Sequence, residues 1–286
     1  MKVSEVRELA QGEQGVVVTR TETCSVAAAR RVAAMLDLDP DSVMEGASLP
    51  RGWQFILMGA DTRRSSLRAD GFPGLGVVMP DLGLPRLLLG NRNASFAKDI
   101  PIGATVERTS SIQSLRRKNT ETGPMAVATI LHELRLPGDP TPCLIETQTY
   151  LLLPARKGAA TTSAASRVDK IEAEHTKNFT PDETLLFQYS ALGFNTHRIH
   201  IDRSHARNVE GFPDLVVNGG LGTLLLTEFL RNELKVTPTG FRARHVAPLF
   251  CSRPLTIAAE REGGGWRLKA YDDRKVLAID MEVEVQ

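Results

Sequence analysis

The segment from Phe187 to Asp202 holds the chain's closest grouping of polar and titratable side chains. It reads F-Q-Y-S-A-L-G-F-N-T-H-R-I-H-I-D and contains two of the six histidines, with an asparagine, an arginine and an aspartate. Aromatic residues lie among them, a composition typical of a half-buried site with perturbed pKa values. An imidazole there can accept and release protons near neutral pH. The residues alone leave two interpretations open: an acid–base site, or a loop whose His and Asn side chains cap backbone groups.

Part of this segment carries a family resemblance. The stretch N-T-H-R-I-H resembles the hydratase-2 motif of MaoC-like (R)-specific enoyl-CoA hydratases, which runs Asp-x-Asn-Pro-Leu/Ile-His. His200 takes the place of the terminal His, and Asn195 stands where the motif has its catalytic Asp. His197 replaces the Asn, and Arg198 replaces the Pro. The fuller string looks closer to the hydroxyacyl-thioester dehydratase type 2 branch, which includes mesaconyl-C4-CoA and itaconyl-CoA hydratases.

The resemblance extends over nearly the whole chain, with further similar stretches at residues 50–53, 123–125, 209–219, 241–244 and 248–250. It implies an α+β double hotdog, in which two antiparallel sheets are each wrapped around a central helix. It also implies a hydro-lyase that reversibly hydrates an α,β-unsaturated acyl thioester or dehydrates a 3-hydroxyacyl thioester.

The reaction sets the residue types that the site needs. Hydration requires a base for water at Cβ, an acid for Cα and donors for the thioester oxygen. By the resemblance, His200 is the acid–base and the backbone N–H of Gly219 stabilises the oxyanion, with Asn218 and His197 among the substrate-binding residues. The amide of Asn195 cannot take a proton from water. Either Asn195 orients water while His200 makes both proton transfers, or Asp202 or a substrate carboxylate supplies the base.

Arg198 offers a charge where the standard motif has proline. If it points into the pocket, it can pair with a free carboxylate of the acyl group. That predicts a dicarboxylic monothioester, mesaconyl-C4-CoA or itaconyl-CoA, hydrated to citramalyl-CoA. The alternative is that Arg198 faces solvent or binds a coenzyme phosphate.

Other functions are weighed against this one. The same fold can host a 3-hydroxyacyl-thioester dehydratase of fatty acid metabolism, a thioesterase or a non-catalytic acyl-CoA-binding subunit. His197 and His200 with His205 or Asp202 could hold a metal ion, but two histidines three apart are a weak signal. The prediction is no metal and no cofactor, apart from coenzyme A as part of the substrate.

The elements that must position these residues are clearest near the C-terminus. Residues 255–260, 266–271 and 279–285 alternate apolar and polar side chains, the period of half-buried antiparallel strands. Residues 221–234 are apolar over most of a helix circumference, which predicts a buried helix beneath that sheet.

The first half repeats this plan less regularly. Strands are predicted at 16–23, 105–115, 126–136 and 145–153, and helices at 26–38 and 53–67. Residues 156–167 are small and polar and indicate a linker, and the charged run 168–177 predicts a short helix. The expected division is an N-terminal hotdog at 1–155 that shapes the acyl pocket, a linker at 156–178, and a C-terminal hotdog at 179–286 with the motif.

Bulk composition limits the partners. The 35 basic and 34 acidic residues give a net charge of +1, without the basic excess of a nucleic-acid-binding protein. The charged N-terminus and the lack of a long apolar run argue against a signal peptide and a membrane span. Cys24, Cys143 and Cys251 form no disulfide pattern. The chain is expected to be cytoplasmic, to bind a small-molecule acyl-CoA, and to form a homo-oligomer as paired hotdog sheets often do.

Overall fold

The computed structural model describes residues 7–8, 16–120, 123–155, 168 and 170–285. Over these residues eleven antiparallel strands form one sheet in the order β1-β4-β5-β6-β3-β8-β11-β10-β9-β7, with β2 also on β4. The strands are β1 (Arg7–Glu8), β2 (Val18–Thr23), β3 (Arg86–Phe96), β4 (Thr105–Thr120), β5 (Gly123–Arg135), β6 (Leu144–Leu153), β7 (His175–Phe179), β8 (Gly240–His245), β9 (Leu255–Glu262), β10 (Gly265–Tyr271) and β11 (Leu277–Glu284). The helices are α1 (Val26–Met35), α2 (Glu183–Leu192), α3 (Arg198–Ile201), α4 (Arg203–Asn208) and α5 (Gly219–Phe229).

The C-terminal meander and its buried helix are as predicted. Strands β9, β10 and β11 pair in sequence, and their inward side chains join one apolar core with α5. Every residue from Leu221 to Phe229 is buried, because the apolar side chains cover most of the helix circumference. The helix then continues as one π-helical turn at Leu230–Leu234. Every helix in the described residues is too short or too polar to span a bilayer.

The first half contains the predicted strands and its Ala-rich helix. Ser25 caps α1 by accepting a hydrogen bond from the Ala28 N–H at 3.1 Å. Strands β3 and β8, which the sequence did not predict, join the two halves. Strand β3 pairs with β6 of the first half on one side and with β8 of the second half on the other. A register shift at Gly90 interrupts the β3–β6 ladder, so the buried positions of β3 change from odd to even numbers along the strand.

The helix predicted at 53–67 is wrong. The structure has only short 3₁₀ turns there, at Trp53–Leu57 and Arg64–Ser66. The apolar side chains of the first turn pack inward but do not recur with the period of a helix. The Trp53 Nε1–H donates a hydrogen bond to Glu228 Oε1 of α5 at 2.7 Å. This contact ties the first half to the central helix of the second.

The short helix predicted at 168–177 is also wrong over the described residues. Residues 175–179 form β7, which pairs with β9 and extends the sheet edge. Four of its five residues are exposed, and an exposed strand with a lysine, Lys177, suits such a sheet edge. The linker segment 156–167 lies outside the described residues, and the domain boundaries at 155 and 179 stay predictions.

The packing around α5 yields a stability prediction. Leu226 has no exposed surface, so replacing it with Ala leaves a cavity and should lower the free energy of unfolding by about 2–5 kcal/mol. Met44, with 61% of its surface exposed, is the matched control, and Met44→Ala should change stability by less than about 0.5 kcal/mol. Urea unfolding followed by circular dichroism measures both. Equal effects of the two substitutions would contradict the buried position of α5.

Candidate active site

A cavity of about 350 Å³ lies beside the first turn of α5. Its wall is mostly apolar and comes from both halves of the chain. Five of the six predicted site residues line it: Asn195, His197, His200, Asn218 and Gly219. The structure therefore brings these residues to one place, and their individual roles stay predictions.

His200 lies in α3 and is buried. Its Nδ1 is 2.7 Å from the Val216 carbonyl oxygen, and because a carbonyl can only accept, Nδ1 must carry the proton. Burial, and next the neighbouring His197, lower the pKa of His200 to about 3, although the Val216 hydrogen bond opposes this. The imidazole is thus neutral at pH 7, with the Nε2 lone pair free to accept a proton.

Asn195 follows the end of α2 through Phe194, whose φ of 48° turns the chain sharply. The Asn195 Oδ1 accepts the His197 backbone N–H at 3.1 Å, which fixes the orientation of the amide. Its Nδ2 is therefore the atom left to serve a ligand. Asn195 is a donor at this site and cannot act as a base.

His197 lies against His200, with ring centroids 5.4 Å apart and planes at 88°. Burial first, then Arg68 and His205, lower the pKa of His197 to about 3. Its Nε2 is 3.6 Å from Asp70 Oδ2, and since the ring is neutral this contact is not an ion pair at neutral pH. His197 therefore adds no positive charge beside His200.

The first turn of α5 supplies backbone donors. Amides at a helix start lack intrahelical acceptors and carry the positive end of the helix dipole. Gly219 is tightly enclosed, because a Cβ there would lie 2.9 Å from Leu89 Cδ2 and 3.4 Å from His245 Nδ1. Asn218 precedes it, and its buried Oδ1 has no hydrogen-bond partner in the described part of the chain. Asn218 also lines the cavity.

Of the two alternatives for Arg198, the structure favours the one in which the side chain lies outside the pocket. Arg198 does not line the cavity, and its Nη2 pairs with Asp202 Oδ2 at 2.7 Å on the outer side of α3. The helical spacing of four residues favours this pair. Asp202 also lies outside the cavity wall, and its Oδ1 caps α4 by accepting the His205 N–H at 2.9 Å. Asp202 is therefore not placed to supply the missing base.

Three cavity residues were missed by the sequence reasoning: Arg92 of β3, Tyr189 of α2 and His245 of β8. His245 lies in the cavity wall, with Nε2 3.3 Å from Thr223 Oγ1. Burial, followed by the charge of Arg92, lowers its pKa to about 3. Only Tyr189, inside the motif segment, carried a signal in the sequence.

The metal alternative gains no support from the geometry. Among the residues that the structure describes, no three His, Cys, Asp or Glu side chains are grouped as metal ligands would be. His205 is buried, and neither of its ring nitrogens has a hydrogen-bond partner there. It lies outside the cavity wall.

Comparison with known proteins decides the family. Residues 52–251 match the hydroxyacyl-thioester dehydratase type 2 family. The chain belongs to this family. The mesaconyl-C(4)-CoA hydratase of Chloroflexus aurantiacus is 31% identical over 279 residues, which cover 94% of this chain and 96% of the relative. The chain is accordingly a hydro-lyase of acyl thioesters, as the sequence motif predicted.

Solved structures confirm the fold of the chain. A MaoC-like dehydratase from Phytophthora capsici superposes with a TM-score of 0.67 at 15% identity, over 95% of each chain. A Mycobacterium tuberculosis protein described as a double hotdog superposes with a TM-score of 0.53 at 16% identity, over 99% of this chain and 96% of the other. The predicted α+β double hotdog is confirmed.

The protonation state of His200 predicts the pH profile. A base with a lowered pKa stays unprotonated as the pH falls through 6.5, so kcat/KM should change little between pH 8 and about pH 5 and decline only toward the pKa of about 3. Initial rates across this range measure it, with activity at pH 7 re-measured after each acid exposure to exclude unfolding. An inflection near pH 6.5 in the folded enzyme would contradict the buried, neutral His200.

Proposed function

We propose that the enzyme hydrates a short dicarboxylic enoyl thioester, mesaconyl-C4-CoA or itaconyl-CoA, to citramalyl-CoA. The observation that carries the chemistry is the neutral His200, held by Val216 with Nε2 unprotonated beside the open start of α5. The observation that favours this substrate class is the similarity, over nearly the whole chain, to the Chloroflexus mesaconyl-C(4)-CoA hydratase. Coenzyme A enters only as part of the substrate, and no other cofactor is proposed.

In the proposed mechanism His200 carries both protons. Nε2 accepts a proton from water while the water oxygen bonds to Cβ, and the C=C electrons move to the thioester oxygen. The Gly219 N–H and the α5 dipole stabilise that oxygen. The imidazolium then gives its proton to Cα. Because burial disfavours the charged ring, this return is favourable.

The two asparagines complete the proposed site without acting as bases. Asn195 has a free donor, Asn218 has a buried acceptor without a hydrogen-bond partner among the described residues, and both residues line the cavity. A water molecule needs both kinds of partner to be held in one orientation. One histidine and two orienting amides therefore replace the two-residue acid–base pair of the wider motif.

A second candidate is a 3-hydroxyacyl-thioester dehydratase of fatty acid metabolism. It is favoured by 33% identity over 96 residues to the mitochondrial type 2 dehydratase of Schizosaccharomyces pombe, which cover 32% of each chain. The cavity of about 350 Å³ suits a short acyl group better than a long one. A thioesterase of the same fold would release free thiol, which hydration does not.

The proposal predicts a defined result in an absorbance assay for loss of the conjugated enoyl thioester. Mesaconyl-C4-CoA should be hydrated faster than crotonyl-CoA, and His200→Gln should lower kcat by about 10²–10⁴-fold on each. Itaconyl-CoA, whose C=C is not conjugated with the thioester, is assayed in parallel by chromatographic detection of citramalyl-CoA. Thermal unfolding of the variant serves as the folding control. Thiol release without hydration, or full activity of folded His200→Gln, would overturn the proposed chemistry.

A further inference from the structure

Arg92 and Glu146 form an ion pair beneath the cavity. Arg92 lies in β3 and Glu146 in the neighbouring β6, and both side chains are buried. Nε and Nη2 of Arg92 donate to the two carboxylate oxygens at 2.6 and 3.1 Å. Gln54 and Gln148 donate to the same oxygens, at 3.0 and 2.6 Å. The guanidinium is thereby held in one position.

The third nitrogen of Arg92, Nη1, faces the start of α5. A Cβ built on Gly220 would lie 3.4 Å from Arg92 Nη1 and would collide with the Tyr189 hydroxyl. Arg92, Tyr189 and Gly220 all line the cavity. Nη1 therefore lies one residue along α5 from Gly219, the proposed oxyanion donor.

Arg92 and Glu146 form a pair that is neutral as a whole, but its hydrogen bonds use Nε and Nη2 of the guanidinium and leave Nη1 for an anion. Although burial works against its charged form, the Arg92 guanidinium holds the pKa of Glu146 below its ordinary value. The negative charge of Glu146 is shared among Arg92, Gln54 and Gln148. Of the described residues that line the cavity, Arg92 is the only Arg or Lys. The Arg92 guanidinium is therefore the group in this mostly apolar cavity wall that can bind an anion by its charge.

Tyr189 is a donor beside that charge. Burial raises its pKa to about 12, although Arg92 opposes the shift, so the hydroxyl stays protonated at neutral pH. The phenol ring stacks on Phe55, with centroids 4.5 Å apart and planes at 21°, which fixes the hydroxyl. The hydroxyl and Arg92 Nη1 both lie against Gly220, so the two donors flank one point of the cavity wall.

We propose that Arg92 Nη1 and the Tyr189 hydroxyl bind the free carboxylate of a dicarboxylic acyl group and make this carboxylate the specificity determinant. The inference rests on the proposed function and names the groups that select its substrate. In a four-carbon dicarboxylic monothioester only the reacting Cα–Cβ bond separates the two carboxyl carbons. The thioester oxygen at Gly219 and a carboxylate at Gly220 match that short separation. Arg198, outside the cavity, plays no part in this selection.

The test compares the ratio of kcat/KM for mesaconyl-C4-CoA to that for crotonyl-CoA. Removing Arg92 alone would leave Glu146 buried and unpaired, so the variant is the double substitution Arg92→Met with Glu146→Gln. The ratio should fall about tenfold or more, since a charge-assisted hydrogen bond to the carboxylate is lost. Tyr189→Phe should lower it by a smaller factor. Arg198→Leu is the matched control, and the ratio should stay within about twofold of wild type.

The outcomes separate this inference from the function on which it rests. Absence of hydration of either thioester by the wild-type enzyme would overturn the proposed function. A wild-type enzyme that hydrates both, with equal losses in the folded double variant, would overturn the carboxylate role of Arg92 alone. A fall in the ratio confined to Arg198→Leu would move the carboxylate site to α3 and equally overturn the inference. Thermal unfolding of each variant establishes that it is folded.

Discussion

The complete burial of α5 is the constraint on which the rest of the structure depends. A helix that is apolar on nearly every side requires protein around its whole circumference, and the sheet with α1 and α2 provides it. Its own hydrogen bonds satisfy every backbone amide except those of the first turn. Those remaining amides, at Gly219 and Gly220, open onto the cavity. Burial of the helix thus leaves one unsatisfied end, where the substrate is proposed to bind.

The same burial sets the electrostatics of the cavity. Three histidines at its wall, His197, His200 and His245, have pKa values lowered to about 3, chiefly by desolvation. They are neutral where free histidine would be partly charged. The positive charge at the cavity wall is that of Arg92, whose guanidinium is held in place by Glu146. Proton transfer and anion binding are consequently assigned to different groups, although they lie in one small cavity.

The sequence predicted the regular parts of this arrangement and missed the irregular ones. Strict alternation revealed β9, β10 and β11, and the motif located His200 and Asn195. Strand β3 was not predicted, because its bulge at Gly90 breaks the alternation of apolar and polar side chains. Arg92 was missed with it, since its partner Glu146 lies 54 residues away and no local pattern joins them. The direction of Arg198 stayed open, because a motif position does not reveal which side of a short helix faces the cavity.

The bulge in β3 has a consequence for how such enzymes diverge. Leu87 is buried before the bulge, whereas Arg92 and Ala94 are buried after it, because the extra residue reverses the inward phase of the strand. If the bulge were lost while the strand kept its length, regular alternation from Leu87 would turn Arg92 away from the cavity and bring its neighbours inward. Loss of one bulge, with no change to the catalytic motif, would therefore exchange a charged side chain of the cavity wall for its strand neighbours.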